Sequence, residues 1–374
     1  MTAMATASLL GPASAFRPAL APLAALALAV ALDLAVAEPP ARVHPVAVFG
    51  SVVGRFDRSW SRPRLVGVAV AVGLPIAAAA VAGGVVVLAA LAGPFLPVAA
   101  AGAVLFTTVS LRMLLATTAE VVALTEADPD AARQSVRALA GRDATALSPA
   151  DLRSAAVESA AENLADGFVA PLCGFALGSA IGLALGTTTG LAVGATGGLA
   201  GGGSGAALPL AAGVAGAVWV KAVNTLDSML GYRSKPVGWA SARLDDAVMF
   251  LPARATAACL AVAAGSIDAL RRGASWAGEP ASPNSGWPMA TAAAALDARL
   301  EKPGHYVLNP DAVPPGVADA ERAVRLVGVA GGVAVALAAG WLAAVGWLAA
   351  VGWLTARGLS AGWPLPAAGV VGWF

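Results

Sequence analysis

The apolar positions of this 374-residue chain fall in long runs rather than in short periodic stripes. A membrane-crossing helix needs about 20 mostly apolar residues. Runs of that length occur at Ala19–Ala37, Leu65–Leu91, Phe95–Leu115, Phe168–Leu191, Ala206–Val223 and Val324–Leu354. They predict an all-α fold, a polytopic membrane helical bundle with about six spanning helices, forming a single integral-membrane domain over 1–374. The first run follows Arg17 and is longer than the apolar core of a signal peptide, so it reads as a retained span. The fourth and fifth are joined by GATGGLAGGGSG, a Gly-rich low-complexity link. The last holds WLAAVGWLAAVGWL, whose tryptophans suit an interfacial belt or helix packing.

A further apolar stretch, Ala247–Gly265, is interrupted by Pro252 and Arg254. The apolar remainder after Arg254 is too short to span, so a short buried or re-entrant helix is expected. Charge placement favours that choice. With six spans, the polar segments 38–64, 117–166 and 224–323 lie on one face, with all 23 Lys and Arg residues except Arg17 and Arg357. A seventh span would carry Arg271, Arg272, Arg299, Lys302 and Arg322 across the membrane, against the positive-inside rule. The termini are therefore expected outside. The polar face is expected on the cytoplasmic side of the cell membrane, with helices from 117–166 and 266–323 capping the bundle. Among ionisable residues, only Asp33 is expected deep in a span.

Composition agrees: 58% of residues are hydrophobic and 12% charged, with a mean hydropathy of +0.77. Soluble domains carry about twice that share of charge. A formal net charge of +1 with scattered cations excludes a nucleic-acid footprint. Cys173 and Cys259 sit in apolar runs, without metal-ligand spacing, and read as packing residues.

Three polar clusters carry candidate chemistry. In ESAAENLADG, Glu158, Glu162 and Asp166 recur every fourth residue, which on a regular helix aligns three carboxylates beside Asn163. Such a row is either a solvated face or a site for a hard cation such as Mg²⁺; its entry into an apolar run favours function. In KAVNTLDSMLGYRSKPVGWASARLDDAVMFLPAR, Lys221, Asn224 and Asp227 share one side of a helix end. Asp245 and Asp246 come next, bracketed by Arg243 and Arg254, either as a site or as charge pairs at the bilayer surface. The third cluster, SPNSGWPMA and RLEKPGHYVLNP, supplies turns with Asn284, Lys302, His305 and Tyr306. His44 is the other histidine, and a lone histidine is more often structural. No P-loop, HExxH or GxSxG motif is present, so any ATP is bound without a Walker lysine.

Seven ordered segments resemble one family: HPV at 44–46, ESAAENLADGFVAPL at 158–172, KAVNTLDSMLGY at 221–232, GWASARLDD at 238–246, PAR at 252–254, SPNSGWPMA at 282–290 and RLEKPGHYVL at 299–308. Through them the chain resembles the CobD/CbiB cobalamin-biosynthesis proteins, the adenosylcobinamide-phosphate synthases, from Leu32 to about Leu308. It departs from the family at LDLAVAEPPARVHPV, where Asp33 matches but Glu38 replaces an Asp, and in a shorter segment before GWASARLDD.

The resemblance implies a C–N ligase. Adenosylcobyric acid and (R)-1-amino-2-propanol, or its O-phosphate, would be joined as an amide, with ATP and Mg²⁺ implied by carboxylate activation. On that basis Glu158, Glu162, Asp166, Asp227 and Asp245 are expected around Mg²⁺-nucleotide. Asn163, Asn224, Arg243, Arg254 and Asn284 are expected to bind substrate or phosphate, and Asp246, His305 and Lys302 to be catalytic. Expected partners are these substrates, the lipid bilayer and other late-pathway membrane enzymes. Two rival functions stand beside this one: an AmpE-like membrane sensor, and a transporter of an anionic solute, which would place polar groups at mid-bilayer in broken helices.

Overall fold

The structure, a computed structural model, describes residues 13–36, 38–40, 42–140, 144–193 and 206–360. The Gly-rich link at 194–205 lies outside the described residues. The described chain is almost entirely helical. Its long helices are α1 (Ala13–Val36), α3 (Pro63–Ala92), α8 (Ala170–Val193), α9 (Ala207–Leu230) and α14 (Val317–Ser360). Between them lie α2 (Pro45–Val53), α4 (Leu96–Phe106), α5 (Leu111–Ala127), α6 (Pro129–Ala140) and α7 (Pro149–Leu164). The remainder is α10 (Trp239–Val248), α11 (Phe250–Ala263), α12 (Ile267–Trp276), α13 (Gly286–Leu296) and an antiparallel hairpin of β1 (Leu300–Lys302) and β2 (Tyr306–Leu308).

Six helical segments among the described residues are long and apolar enough to cross a membrane: Ala19–Val36, Pro63–Ala92, Leu96–Ala127, Pro149–Gly186, Ala207–Leu230 and Val317–Gly352. The protein is a polytopic all-α membrane protein. These segments coincide with the six apolar runs but reach further into the polar sequence, most of all at 116–127 and 149–167. Pro149–Gly186 is central, with 67% of its most apolar window buried, whereas Pro63–Ala92 and Val317–Gly352 have 28%. Their exposed side chains include the aliphatic Val68, Val72, Ile76, Val329 and Leu337 and the aromatic Trp341 and Trp347, which suit lipid contact.

The α7 helix does not end where α8 begins: it runs through a π turn, Ala165–Val169, directly into α8. The wider turn changes the helical phase at Asp166. The stretch 247–265 forms α11, which continues from α10 with a 45° bend. At 14 residues α11 is too short to span alone. It packs on α13, α14 and the π turn, with Pro252, Thr256, Cys259 and Leu260 buried.

Small residues bring α8 and α9 together. A Cβ added at Gly174 would meet the backbone of Gly216, one at Gly178 that of Ala212, and one at Gly182 that of Pro209. Each step of four residues along α8 is matched by a step of three or four back along α9, which defines a close antiparallel hairpin. With little hydrophobic drive between helices in lipid, such close backbone approach supplies the packing energy.

Local capping explains two sequence features. His44 is the N-cap of α2, its Nδ1 accepting from Val46 N at 3.2 Å, with Pro45 in the first turn; the structural reading of this histidine holds. Ser148 and Asp151 form a reciprocal capping box that starts α7. The polar helices α6 and α12 each bury one narrow face, Ala132 and Val136 in one, Ala269 and Gly273 in the other.

Candidate functional site

The π turn and the C-terminal end of α9 face each other. From Gly186 back to Asp166 is 20 residues of helix, roughly 30 Å, which is the thickness of a bilayer core. A bilayer core ending at Gly186 would have its other boundary at Asp166, and Asp227 lies near the end of α9. Lys221 lies one and a half turns deeper. Asp166, Lys221 and Asp227 all lie within candidate spans, Lys221 inside the apolar run Ala206–Val223 and the two acids because helices continue through sequence that reads as loop.

Asn224 is the hub. Its Nδ2 donates to Asp166 Oδ2 at 3.2 Å, and its amide also reaches Asp245. Asp245 lies within electrostatic range of Asp166, Asp227 and Asp246, and Lys221 within range of Asp166 and Glu38. Four carboxylates from three helical elements therefore lie close together with few cations, and Asn224 links two of them, Asp166 and Asp245. Arg243 reaches Asp246 at 3.7 Å from an exposed position, a contact of little energetic weight. One buried oxygen, Asp245 Oδ1, has no hydrogen-bond partner. Leaving a buried acceptor unpaired costs free energy, as it does at Asp33 Oδ1, which is likewise without a partner among the described residues.

Asn284 and Arg254 form the adjoining wall. Asn284, 4% exposed, donates to Asp246 O at 2.8 Å and accepts from Arg254 Nη1 at 3.1 Å. Its amide is thus engaged within the protein and orients Arg254. The guanidinium also lies over the rings of Phe250, 3.6 Å away, and Trp287, 4.8 Å away. Ser282 Oγ accepts from the backbone N–H groups of Asn284 and Ser285, so the SPNS turn satisfies its own donors.

Glu158 belongs to a different environment from Asp166, eight residues and roughly 12 Å along the axis away. It is fully buried and accepts hydrogen bonds from Ser154 Oγ at 2.9 Å and Tyr306 Oη at 2.8 Å. Ser154 Oγ in turn accepts from Glu301 N at 2.7 Å. This network locks the β1–β2 hairpin onto α7. Glu162 lies half-buried between the two regions, and Asn163 donates to Ser159 O and Oγ on its own helix. The expected row of Glu158, Glu162 and Asp166 is therefore divided between a hairpin anchor and the acid centre. Lys302 and His305 ride on the hairpin; His305 is exposed at its tip, and no contact joins either side chain to the acid centre among the described residues.

Mg²⁺ prefers oxygen ligands, keeps several waters, and takes one or two carboxylates together with substrate phosphates. Among the described residues no group of three or more His, Cys, Asp or Glu side chains is arranged to hold a metal ion by itself. The unpartnered Asp245 Oδ1 and the surplus of carboxylates around it nevertheless fit a Mg²⁺ that brings its own phosphate and water ligands. A larger cavity of about 750 Å³ lies beside α2, walled by aliphatic side chains of α3, α4 and α9. It touches the centre only through Lys221, and its chemistry matches lipid rather than ionic substrates.

Asp33 and Lys221 were outside the expected site set. Asp33, 2% exposed, accepts from Arg112 N at 3.2 Å and so caps the start of α5. Lys221 carried a readable signal, a cation in an otherwise apolar helix.

Fold and site together define a polytopic helical membrane protein with an acid-rich polar centre at one end of its bundle. The chain belongs to the CobD/CbiB family, whose description, CobD/Cbib protein, matches residues 26–327. It is 34% identical over 317 residues, 81% of this chain and 91% of the relative, to a probable cobalamin biosynthesis protein CobD of Methanothrix thermoacetophila. It is 35% identical over 303 residues to the cobalamin biosynthesis protein CobD of Mycobacterium tuberculosis, covering 77% of this chain and 85% of that one. Against the cobalamin biosynthesis protein CobD of Rhodobacter capsulatus it is 35% identical over 305 residues, 76% of this chain and 84% of that one. No solved structure matches the chain significantly.

Proposed function

We propose that this protein is a cobalamin-biosynthesis ligase of the cell membrane. It would join (R)-1-amino-2-propanol, or its O-phosphate, to adenosylcobyric acid at the expense of ATP. The observation that carries the reading is the acid centre of Asp166, Asp227, Asp245 and Asp246 at one membrane boundary, with its unpartnered buried oxygen. A family whose named relatives are cobalamin biosynthesis proteins supplies the pathway.

Amide formation from a carboxylate requires the departing oxygen to be activated, here as an acyl phosphate or an acyl adenylate. Mg²⁺, when bound, neutralises the nucleotide phosphates and stabilises charge on the oxygens in transfer. Asp245 and Asp227 are the proposed ligands, with Asp166 held beside them by Asn224. Arg254, oriented by Asn284 and two aromatic rings, is placed to clamp an anionic oxygen. Asp246 is the better-placed base for the incoming ammonium, because it lies in the centre, whereas His305 stands on the hairpin. The distance of roughly 12 Å between hairpin anchor and acid centre suits a large corrin lying across both, with Lys302 and His305 against its periphery. Soluble, charged substrates would meet this face from the cytoplasm.

The test is ligation by purified protein in lipid discs given adenosylcobyric acid, each amine form, ATP and Mg²⁺, with product mass as the readout. Amide formation that disappears in Asp245→Asn and Asp227→Asn, with the fold intact, is expected. Corrinoid flux without a covalent product, or full activity in both variants, would sink the reading.

A further inference from the structure

The loop after α2 and the loop after α9 meet around a cavity of about 340 Å³. Asp57, Arg58, Ser59 and Trp60 come from the first loop, and Ser234 and Lys235 from the second. Its base is apolar and well packed. Val53, Val70, Leu226, Leu230 and Val237 form a buried cluster, with Phe56 and Trp60 packed against it. Polar groups standing on such a base are held in place rather than left to wander.

The local charge is one-sided. Residues 54–64 and 231–239 carry Arg55, Arg58, Arg62, Arg64, Arg233 and Lys235 against the single acid Asp57. Arg58 lies 4.1 Å from the centroid of the Trp60 ring. That ring is fixed in turn by stacking on Phe56 and by a 3.0 Å hydrogen bond from its Nε1 to Phe56 O. Stacking occupies one face of the guanidinium and leaves its N–H edges available. Among the described residues those edges make no hydrogen bond or ion pair. Lys235 Nζ is set by Asp57 at 2.7 Å and Met229 O at 3.1 Å. Asp57 thus holds the ammonium in position and competes with any anion that arrives. The hydroxyls of Ser59 and Ser234 add donors with no internal partner among the described residues.

We infer that this pocket binds a phosphate group, carried either by a small soluble phosphomonoester or by the headgroup of an anionic phospholipid. A pre-set planar guanidinium, a point-charge ammonium and two hydroxyls match a tetrahedral oxyanion. The Trp60 ring is already engaged by Arg58 and by Phe56, so the pocket selects the phosphate itself rather than a stacked base. None of its lining residues belongs to the acid centre, and the inference stands whether or not the ligation chemistry is correct.

The experiment uses the full chain in discs of phosphatidylcholine, titrated with inorganic phosphate and with phosphoethanolamine by calorimetry. A parallel arm measures retention of phosphatidylglycerol from mixed discs by native mass spectrometry. Arg58→Gln should weaken binding about tenfold, the loss expected for one charge-assisted contact. The Arg58 side chain is exposed and makes no hydrogen bond among the described residues, so Arg58→Gln removes no internal side-chain bond; Lys235→Gln should deepen the loss. Asp57→Asn should tighten binding, which a merely structural role for these residues would not do. Phosphate binding in phosphatidylcholine discs assigns a soluble ligand, and variant-sensitive retention of phosphatidylglycerol alone assigns a headgroup. Binding of neither, or affinities unmoved by Arg58→Gln and Asp57→Asn, overturns the inference.

Discussion

Glu158 and Asp166 come from one ten-residue motif and one continuous helix, yet the fold treats them in contrary ways. Around Glu158, donors are brought to the acid: Ser154 and Tyr306 both hydrogen-bond to it, at 2.9 Å and 2.8 Å. Around Asp166, acids are brought to each other, with Asn224 as the main neutral donor and Lys221 as the nearby cation. A satisfied buried carboxylate holds structure together. A surplus of carboxylates with an orphaned oxygen holds charges that repel one another. Residue type and spacing do not separate the two cases; the partners do.

The sharpest way to break the comparison is Glu158→Ala. It leaves the Tyr306 and Ser154 hydroxyls without their acceptor and frees the hairpin, for a loss of about 3 kcal/mol in stability. Thermal unfolding in detergent should show it, and an unchanged midpoint would place Glu158 among ligand-binding acids after all. Asp245→Asn should do the reverse. Removing one of several mutually repelling charges should leave the midpoint equal or higher, while ligation falls by about 100-fold, the scale of losing one group acting in the transition state.

A smaller effect tests the scaffold beneath the acid centre. In Gly178→Val the new side chain would run into the backbone of Ala212, and overpacking of this kind costs about 2 kcal/mol. Spreading α8 from α9 should also weaken the Asp166–Asn224 contact, so activity should fall with stability; the same change at the open Gly167 should spare the helix packing. The smallest effect concerns a charge outside both regions. The Arg272 hydrogen bond, with a second from Asn309, holds the Asp297 carboxyl below its ordinary value of 3.8. A depressed carboxyl contributes stability above its unfolded value, lost as pH falls through the folded one. Asp297→Asn should therefore flatten the acid limb of a stability–pH curve below about pH 4 and leave its shape in the neutral range unchanged.

Much of this protein was legible in its sequence. Apolar run length alone determined the six spans and the all-α class, because lipid offers no partners to an unsatisfied backbone. Ordered motifs announced the family. The sequence also singled out candidate residues for chemistry, since charge is costly near a membrane. Tertiary structure alone decided how those residues divide. Helices running on through polar sequence brought Asp166 and Asp227 into the spans, and a π turn altered the phase of a row that regular spacing would align. Hairpin docking claimed Glu158, a buried bridge claimed Asn284, and two distant loops assembled the cationic pocket at Arg58 and Lys235. Each of these depends on which partner lies across the bundle, and a one-dimensional pattern holds no record of that.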